Sequence, residues 1–169
     1  MSAEFRLQST GALAIERALA GLAARFGDLT PLMEGIGLTL ESATIDRFDT
    51  ETAPDGSKWK PSLRAKTEGG KTLTDTSQLR SSVTSEADAT SVAVGTNKIY
   101  AGAHQFGATI RAKSAKGLRF ALPGGLGFRR VMQVELPARP FLGLSAEDET
   151  EILAQIEDYA RDAAPGAFA

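Results

Sequence analysis

Residues 82–95 read SVTSEADATSVAVG. Apolar and polar residues alternate on either side of a short polar break, which is the period of a half-buried strand and not of a helix. The stretch predicts two short strands joined by a turn at Glu86–Ala89, with Val92 and Val94 of the second strand, Ser91–Gly95, on one face. This hairpin decides the fold class because of what flanks it on each side.

Upstream the period is helical. ALAIERALAGLAARF (12–26) places Ile15, Leu19, Leu22 and Phe26 at helix spacing, and Gly27 and Asp28 end the run. Thr30 then offers a hydroxyl cap with Pro31 at the first helical position, and Leu32, Ile36, Leu40 and Ala43 mark the stripe of a second helix reaching about Phe48. Gly35 and Gly37 weaken that helix locally. Pro54-Asp55-Gly56 reads as a tight turn opening an irregular loop over 53–72, anchored by Trp59 and mobile from Arg64 to Lys71. Thr74 or Thr76 is placed to cap a short helix within 74–82.

Downstream, residues 98–105 suit a short helix that Gly107 breaks, and Ala108–Ala112 resumes as a strand. In KSAKGLRFALPGGLGFRR (113–130) a strand-like piece, Leu118–Leu122, runs into Pro-Gly-Gly-Leu-Gly. This is a long hairpin or flexible arm, basic at its flanks and apolar at its tip. Val131–Leu136 returns as a strand, and Pro137 and Pro140 exclude helix from PARPFLGLS. Ser145 and Asp148 form a capping box for the last helix, whose inner stripe is Ile152, Ile156 and Tyr159. The tail APGAFA is expected to fray. The fold class is therefore α+β: N-terminal helices, a largely antiparallel sheet with a long basic arm, and a C-terminal amphipathic helix packed on the sheet. The 169 residues suit one domain, with a helical part at 1–48, the loop at 53–72, a sheet region at 74–144 carrying the arm 111–130, and the helix at 145–163.

The chain has no cysteine, which excludes disulfides, thiolate catalysis and cysteine zinc sites. No apolar run is long enough to span a bilayer, and the opening MSAEFRLQSTG lacks an apolar signal core, so a soluble cytoplasmic product with no membrane partner is expected. The net charge of −2 hides a segregation. Residues 1–88 hold 10 basic and 13 acidic side chains, net −3. Residues 89–134 hold 7 basic and no acidic ones, net +7, and residues 135–169 hold 2 basic and 8 acidic ones, net −6. Such blocks either neutralise one another or meet complementary partners.

YAGAHQFGATI (100–110) contains the chain's one histidine, His104. A histidine base needs a nucleophile or metal and an orienting acid, and the motifs that supply them are missing: no G-x-S-x-G, no G-x-x-x-x-G-K-[ST], no H-E-x-x-H, no D-x-D-x-D-G loop. The expectation is a non-enzyme with no catalytic, metal-binding or cofactor residues. In that reading Tyr100 and Phe106 supply packing area, Ala101, Gly102, Ala103 and Gly107 let backbone approach, and His104 and Gln105 bond to backbone at the rim. Two other readings stay open: a nucleic-acid-binding module using the basic segment 98–130, and a remote hydrolase pairing His104 with an aspartate.

Several segments in order resemble the phage virion morphogenesis family, the tail-completion proteins of Mu-like and related long-tailed phages. They are Arg47-Phe48, Pro54-Asp55-Gly56 with Trp59 and Pro61, Leu73-Thr74 to Leu79 with Ser82, and Val94-Gly95-Thr96. Tyr100-Ala101 with His104-Gln105-Phe106-Gly107 follows, then Pro137-Ala138-Arg139-Pro140-Phe141-Leu142-Gly143-Leu144-Ser145. The similarity covers about residues 45–160. One departure is Thr76-Ser77-Gln78-Leu79, where the family often has T-G-x-L. The resemblance implies a structural protein of the virion neck or head-proximal tail end, made in the host cytoplasm, that completes the tail and joins it to the DNA-filled head. It implies a homo-oligomeric ring, commonly hexameric in related proteins, touching other neck, connector and tail proteins and no cofactor. It assigns structural roles to Trp59, Tyr100, His104, Gln105, Phe106, Gly107, Arg139, Pro140 and Phe141. Candidate contacts with a neighbouring subunit, or non-specifically with DNA in a channel, are Arg111, Lys113, Lys116, Arg119, Phe120, Leu126, Phe128, Arg129 and Arg130.

Overall fold

The computed structural model describes residues 15, 17, 20–22, 24 and 27–163. Its elements are α1 (Thr30–Thr50), α2 (Leu63–Glu68), β1 (Val83–Ala87), β2 (Val92–Thr96), α3 (Ala101–Phe106), β3 (Ala108–Arg111), β4 (Leu118–Ala121), β5 (Phe128–Val131), β6 (Gln133–Leu136) and α4 (Ala146–Ala163), with 3-10 turns at Arg80–Ser82 and Pro123–Gly125. The mixture of helices and antiparallel strand pairs is α+β. Among the described residues the strands form three separate two-stranded pairs, β1–β2, β3–β6 and β4–β5, and no continuous sheet. The described residues divide into two compact units, one of residues 47–82 and 97–141, the other of residues up to 46 with 83–96 and 142–163.

The second unit is a helical layer on the β1–β2 hairpin. Leu29, Leu32, Met33, Ile36, Ile152 and Ile156 are its buried centre, and Ala87, Val92 and Tyr159 pack against it. The C-terminal helix thus lies on a strand pair, as its stripe of Ile152, Ile156 and Tyr159 predicts. The helix expected at 12–26 falls largely outside the described residues. Those described, 15, 17, 20–22 and 24, are helical, and Ile15 and Leu22 join the core. The tail 164–169 lies outside them too.

The α1 stripe holds at Leu32 and Ile36, but its last turns bury Thr44, Arg47 and Phe48 instead of Ala43. Its cap also differs. Asp28 Oδ1 accepts from the Thr30 N–H at 2.9 Å and from the Thr30 hydroxyl at 2.6 Å, so a carboxylate and not the Thr30 side chain caps the first turn. Gly37 is more than a helix-weakening residue. A Cβ there would stand 3.0 Å from Ser85 Cβ and 3.1 Å from Val92 Cγ2, so the missing side chain lets helix and hairpin approach.

The hairpin is in place with its turn two residues later than predicted. Val83 pairs with Thr96 and Ala87 with Val92, and the Asp88 N–H donates to the Ser91 carbonyl at 2.8 Å. The Asp88 carboxylate accepts from the N–H groups of Thr90 and Ser91, which fixes the turn and pushes its pKa down to about 2. Aspartate makes this local ring and Glu86, one methylene longer, does not. At α4 the capping box forms as read: the Ser145 N–H donates to Asp148 Oδ2 at 2.7 Å and the Asp148 N–H to Ser145 Oγ at 3.1 Å.

Two expectations in the first unit are overturned. The stretch 53–72 is not irregular throughout: Ser62 Oγ accepts from the Ala65 N–H at 3.1 Å and starts α2, which Gly69 ends at φ 80°. The Arg64 guanidinium bonds the Gly69 and Lys71 carbonyls and pins the segment expected to be mobile. Residues 74–79 form turns, and only the 3-10 turn Arg80–Ser82 follows. Leu73 and Ser77 hold positive φ of 65° and 56°, which no helix accommodates.

Candidate functional site

The proline-rich segment 137–141 cannot join a sheet, so its polar backbone must be satisfied in another way. Side chains from three distant places do this. Arg47 Nη1, on α1, donates to the Phe141 carbonyl at 3.0 Å. Trp59 Nε1 donates to the Pro140 carbonyl at 2.8 Å, and Gln105 Oε1, on α3, accepts from the Phe141 N–H at 3.0 Å. The Arg139 N–H donates to the His104 carbonyl at 2.7 Å, and Arg139 Nε to the Lys60 carbonyl at 2.8 Å. The Phe141 ring closes the clasp against Phe48 at 5.3 Å, and Trp59 meets Phe48 edge-on at 5.5 Å. The structure therefore joins Trp59, His104, Gln105, Arg139, Pro140 and Phe141 in one cluster. Gly107 belongs to it as well, because a Cβ at its φ of 75° would stand 3.0 Å from the Ala138 nitrogen and the Leu136 carbonyl. Tyr100 and Phe106 do not supply core packing as expected: they are 40 % and 55 % exposed, and the buried residues of α3 are Ala101 and Gln105. A six-residue helix has one inner face, and the small Ala101 lets it lie close.

Beside the clasp a cleft of about 600 Å³ opens within the same unit. Lys60, Arg64, His104 and Arg139 bring nitrogen to it, Asp75 and Glu135 bring carboxylates, and Leu79, Phe120 and Leu136 are among its apolar walls. His104 Nδ1 is buried with no hydrogen-bond partner among the described residues. Burial, and secondarily the nearby Arg139 charge, hold the His104 pKa below its ordinary 6.5. The unfolded chain therefore binds this proton more readily than the folded one. The stability from keeping His104 neutral is full above about pH 6.5 and is lost progressively as pH falls below it. Proton NMR of the single imidazole should show a midpoint below 6.5, and His104→Gln should flatten the denaturation midpoint across that window. A midpoint at or above 6.5 contradicts the buried placement. Among the described residues no group of three or more His, Asp and Glu could hold a metal ion, and no helix is long and apolar enough to cross a membrane.

The basic arm is a two-part hairpin. β3 pairs with β6 at the base, and β4 pairs with β5 beyond Met132. The single strand predicted over Val131–Leu136 is thus split at Met132, where the chain bends. Register puts Arg119 opposite Arg130 and Ala121 opposite Phe128, so these four share one face. The Arg119 guanidinium lies 4.0 Å from the centroid of the Phe128 ring. Phe120, opposite Arg129, lies on the other face and reaches the cleft. Arg111, Lys113, Lys116, Arg119, Arg129 and Arg130 are exposed, and among the described residues none is in an ion pair. Leu126 and Phe128 are each 66 % exposed at and beside the tip. The tip rests on α2, where the Gly124 N–H donates to Glu68 Oε1 at 2.5 Å.

These residues can be set against known proteins. The family model described as the phage virion morphogenesis family matches residues 12–160. The chain belongs to this family. It is also 36 % identical over 153 residues, 90 % of this chain and 94 % of the relative, to the Mu-like prophage FluMu G protein 2 of Haemophilus influenzae (strain ATCC 51907 / DSM 11121 / KW20 / Rd). No solved structure matches. The family match reaches back to residue 12, so it takes in the N-terminal helices beyond the segments that carried the resemblance.

Family membership makes the departure at Thr76-Ser77-Gln78-Leu79 readable. Ser77 stands where the T-G-x-L pattern has glycine, and its φ of 56° is the conformation glycine adopts without strain. Sequence reading passed over Lys60, Arg64 and Leu79 as parts of the cleft. Arg47 was visible only as half of Arg47-Phe48. The signal that marks it is a cation followed by an aromatic on the face where the α1 stripe should end.

Proposed function

We propose that this protein is a non-enzymatic structural component at the neck or head-proximal end of a phage tail, where copies form a ring that completes the tail and joins it to the filled head. Membership of the virion morphogenesis family supports a role in virion assembly. The observation that carries the finer reading is the outer face of the arm. Two arginines sit directly opposite each other beside a half-stacked, exposed phenylalanine, and among the described residues none has an acidic partner. Like charges in register cost free energy until an anion is added. The exposed acids of α4, Glu147, Glu151, Glu157, Asp158 and Asp162, offer that anion on a second copy. A head-to-tail contact between unlike patches of one chain is what a closed ring needs.

The test of the role is deletion of the gene from its phage or prophage and electron microscopy of the lysate. Full heads beside unattached tails are expected, and intact infectious particles at normal yield sink the proposal. For the contact, Arg119→Glu with Arg130→Glu should weaken self-association at least about tenfold, on the order of 1.4 kcal/mol. Adding Glu151→Lys and Asp158→Lys to the same chain should restore it. Sedimentation velocity at low and high salt reads both. Unchanged association with lost DNA retention moves the arm to the second reading, a phosphate contact in the channel.

A further inference from the structure

Arg139 is 5 % exposed, and its one hydrogen bond from the side chain is Nε to the Lys60 carbonyl. No carboxylate among the described residues is in an ion pair with it. Its terminal nitrogens carry no hydrogen bond, yet it lines the cleft. The terminal nitrogens stay open at the cleft without a counter-charge, and their planar fork matches a carboxylate bidentately. His104 also lines the cleft, and its buried Nδ1 has no hydrogen-bond partner among the described residues. Of the other cations there, Arg64 bonds two carbonyls and faces Asp75 at 3.5 Å, and Lys60 is exposed.

We propose that this cleft receives an aspartate or glutamate side chain from an extended segment of a partner virion protein, its carboxylate on the Arg139 fork. The His104 ring, which lines the same cleft, reports occupancy of the site. The walls argue for a protein carboxylate over nucleic-acid phosphate. Leu79, Tyr100, Phe120, Val134 and Leu136 suit the apolar residues flanking one acid in an extended segment. Asp75 and Glu135 at the same cleft tolerate a single carboxylate beside Arg139 but repel a polyanion. A duplex backbone needs several protruding cations; this site offers one exposed lysine, Lys60, and the arm six basic side chains. The inference stands on the cleft alone and does not depend on the arm joining copies.

The experiment is a titration of the full chain, 15N-labelled, with Ac-Leu-Glu-Leu-NH2, with Ac-Leu-Gln-Leu-NH2 and with inorganic phosphate, observing Arg139 Nε–H and the His104 ring by NMR. The Glu peptide should shift both signals saturably, and the Gln peptide and phosphate should bind at least about tenfold more weakly. Arg139→Lys, which keeps the charge and loses the fork, should weaken the Glu peptide about tenfold. Gln78→Trp, on the exposed rim, should block it and serves if Arg139→Lys fails to fold. No saturable shift with the Glu peptide overturns the proposal, and so does phosphate binding as tightly as the peptide. Equal binding of the Glu and Gln peptides removes the carboxylate from it.

Discussion

Phe141→Ala should lower the free energy of unfolding by about 3–5 kcal/mol, the range for deleting a large aromatic from a closed core. Phe141 is fully buried. Its ring touches Phe48 at 5.3 Å, and Phe48 in turn meets Trp59, so the cavity opens inside a three-ring cluster. The neighbouring backbone cannot collapse inward to fill it. The Phe141 N–H is held by Gln105, its carbonyl by Arg47 and the preceding carbonyl by Trp59. A site that cannot relax keeps its cavity and sits at the high end of the range. Trp59 is the only tryptophan, so its fluorescence in a denaturant series reports this cluster directly. Phe141→Leu should recover part of the loss. A Phe141→Ala change below about 1 kcal/mol would show that the clasp is not part of the cooperative core.

Gly107→Ala is expected to cost about 2–5 kcal/mol through two separate effects. The backbone there has φ 75° and ψ 162°, a region that belongs essentially to glycine. An added Cβ would also stand 3.0 Å from the Ala138 nitrogen and the Leu136 carbonyl, backbone atoms that no side-chain rotation can move. Those atoms immediately precede Arg139, so relief of the clash pulls on the Arg139 N–H bond to His104 and on the floor of the cleft. Gly56→Ala is the control. Its φ is 80° but nothing lies within 4 Å of the new Cβ, so only the left-handed penalty of roughly 1–2 kcal/mol applies. Chemical denaturation of the two variants separates strain from collision. Equal losses at the two positions would mean that the approach of residues 136–138 to Gly107 carries no energy.

The sequence by itself determined the elements whose signals are local. The α1 helix and the β1–β2 hairpin were legible because their apolar periods of 3.6 and 2 are set within a dozen residues. The α4 cap was legible because Ser145 and Asp148 are three residues apart. The ordered motifs were enough to place the chain among virion morphogenesis proteins. Local signals failed where a different local geometry won. Asp88 moved the hairpin turn two residues on from Glu86–Ala89, Ser62 started a helix inside a polar loop, and positive φ at Leu73 and Ser77 excluded the helix that Thr74 or Thr76 was placed to cap.

Only the tertiary structure decided what the motifs are for. The side-chain bonds that hold Arg139–Phe141 join residues 36 to 94 positions apart, to Arg47, Trp59, Lys60 and Gln105, and no short window along the chain contains both partners. Segment 137–141 carries prolines at 137 and 140 and must import its hydrogen bonds, but which side chains supply them is fixed by the packing of Phe48, Trp59 and Phe141. The same packing covers Arg139 and leaves its fork at the cleft. A guanidinium stem held in packing with its fork open and without a counter-charge comes from three-dimensional enclosure, and the spacing of residues along the chain carries no trace of it.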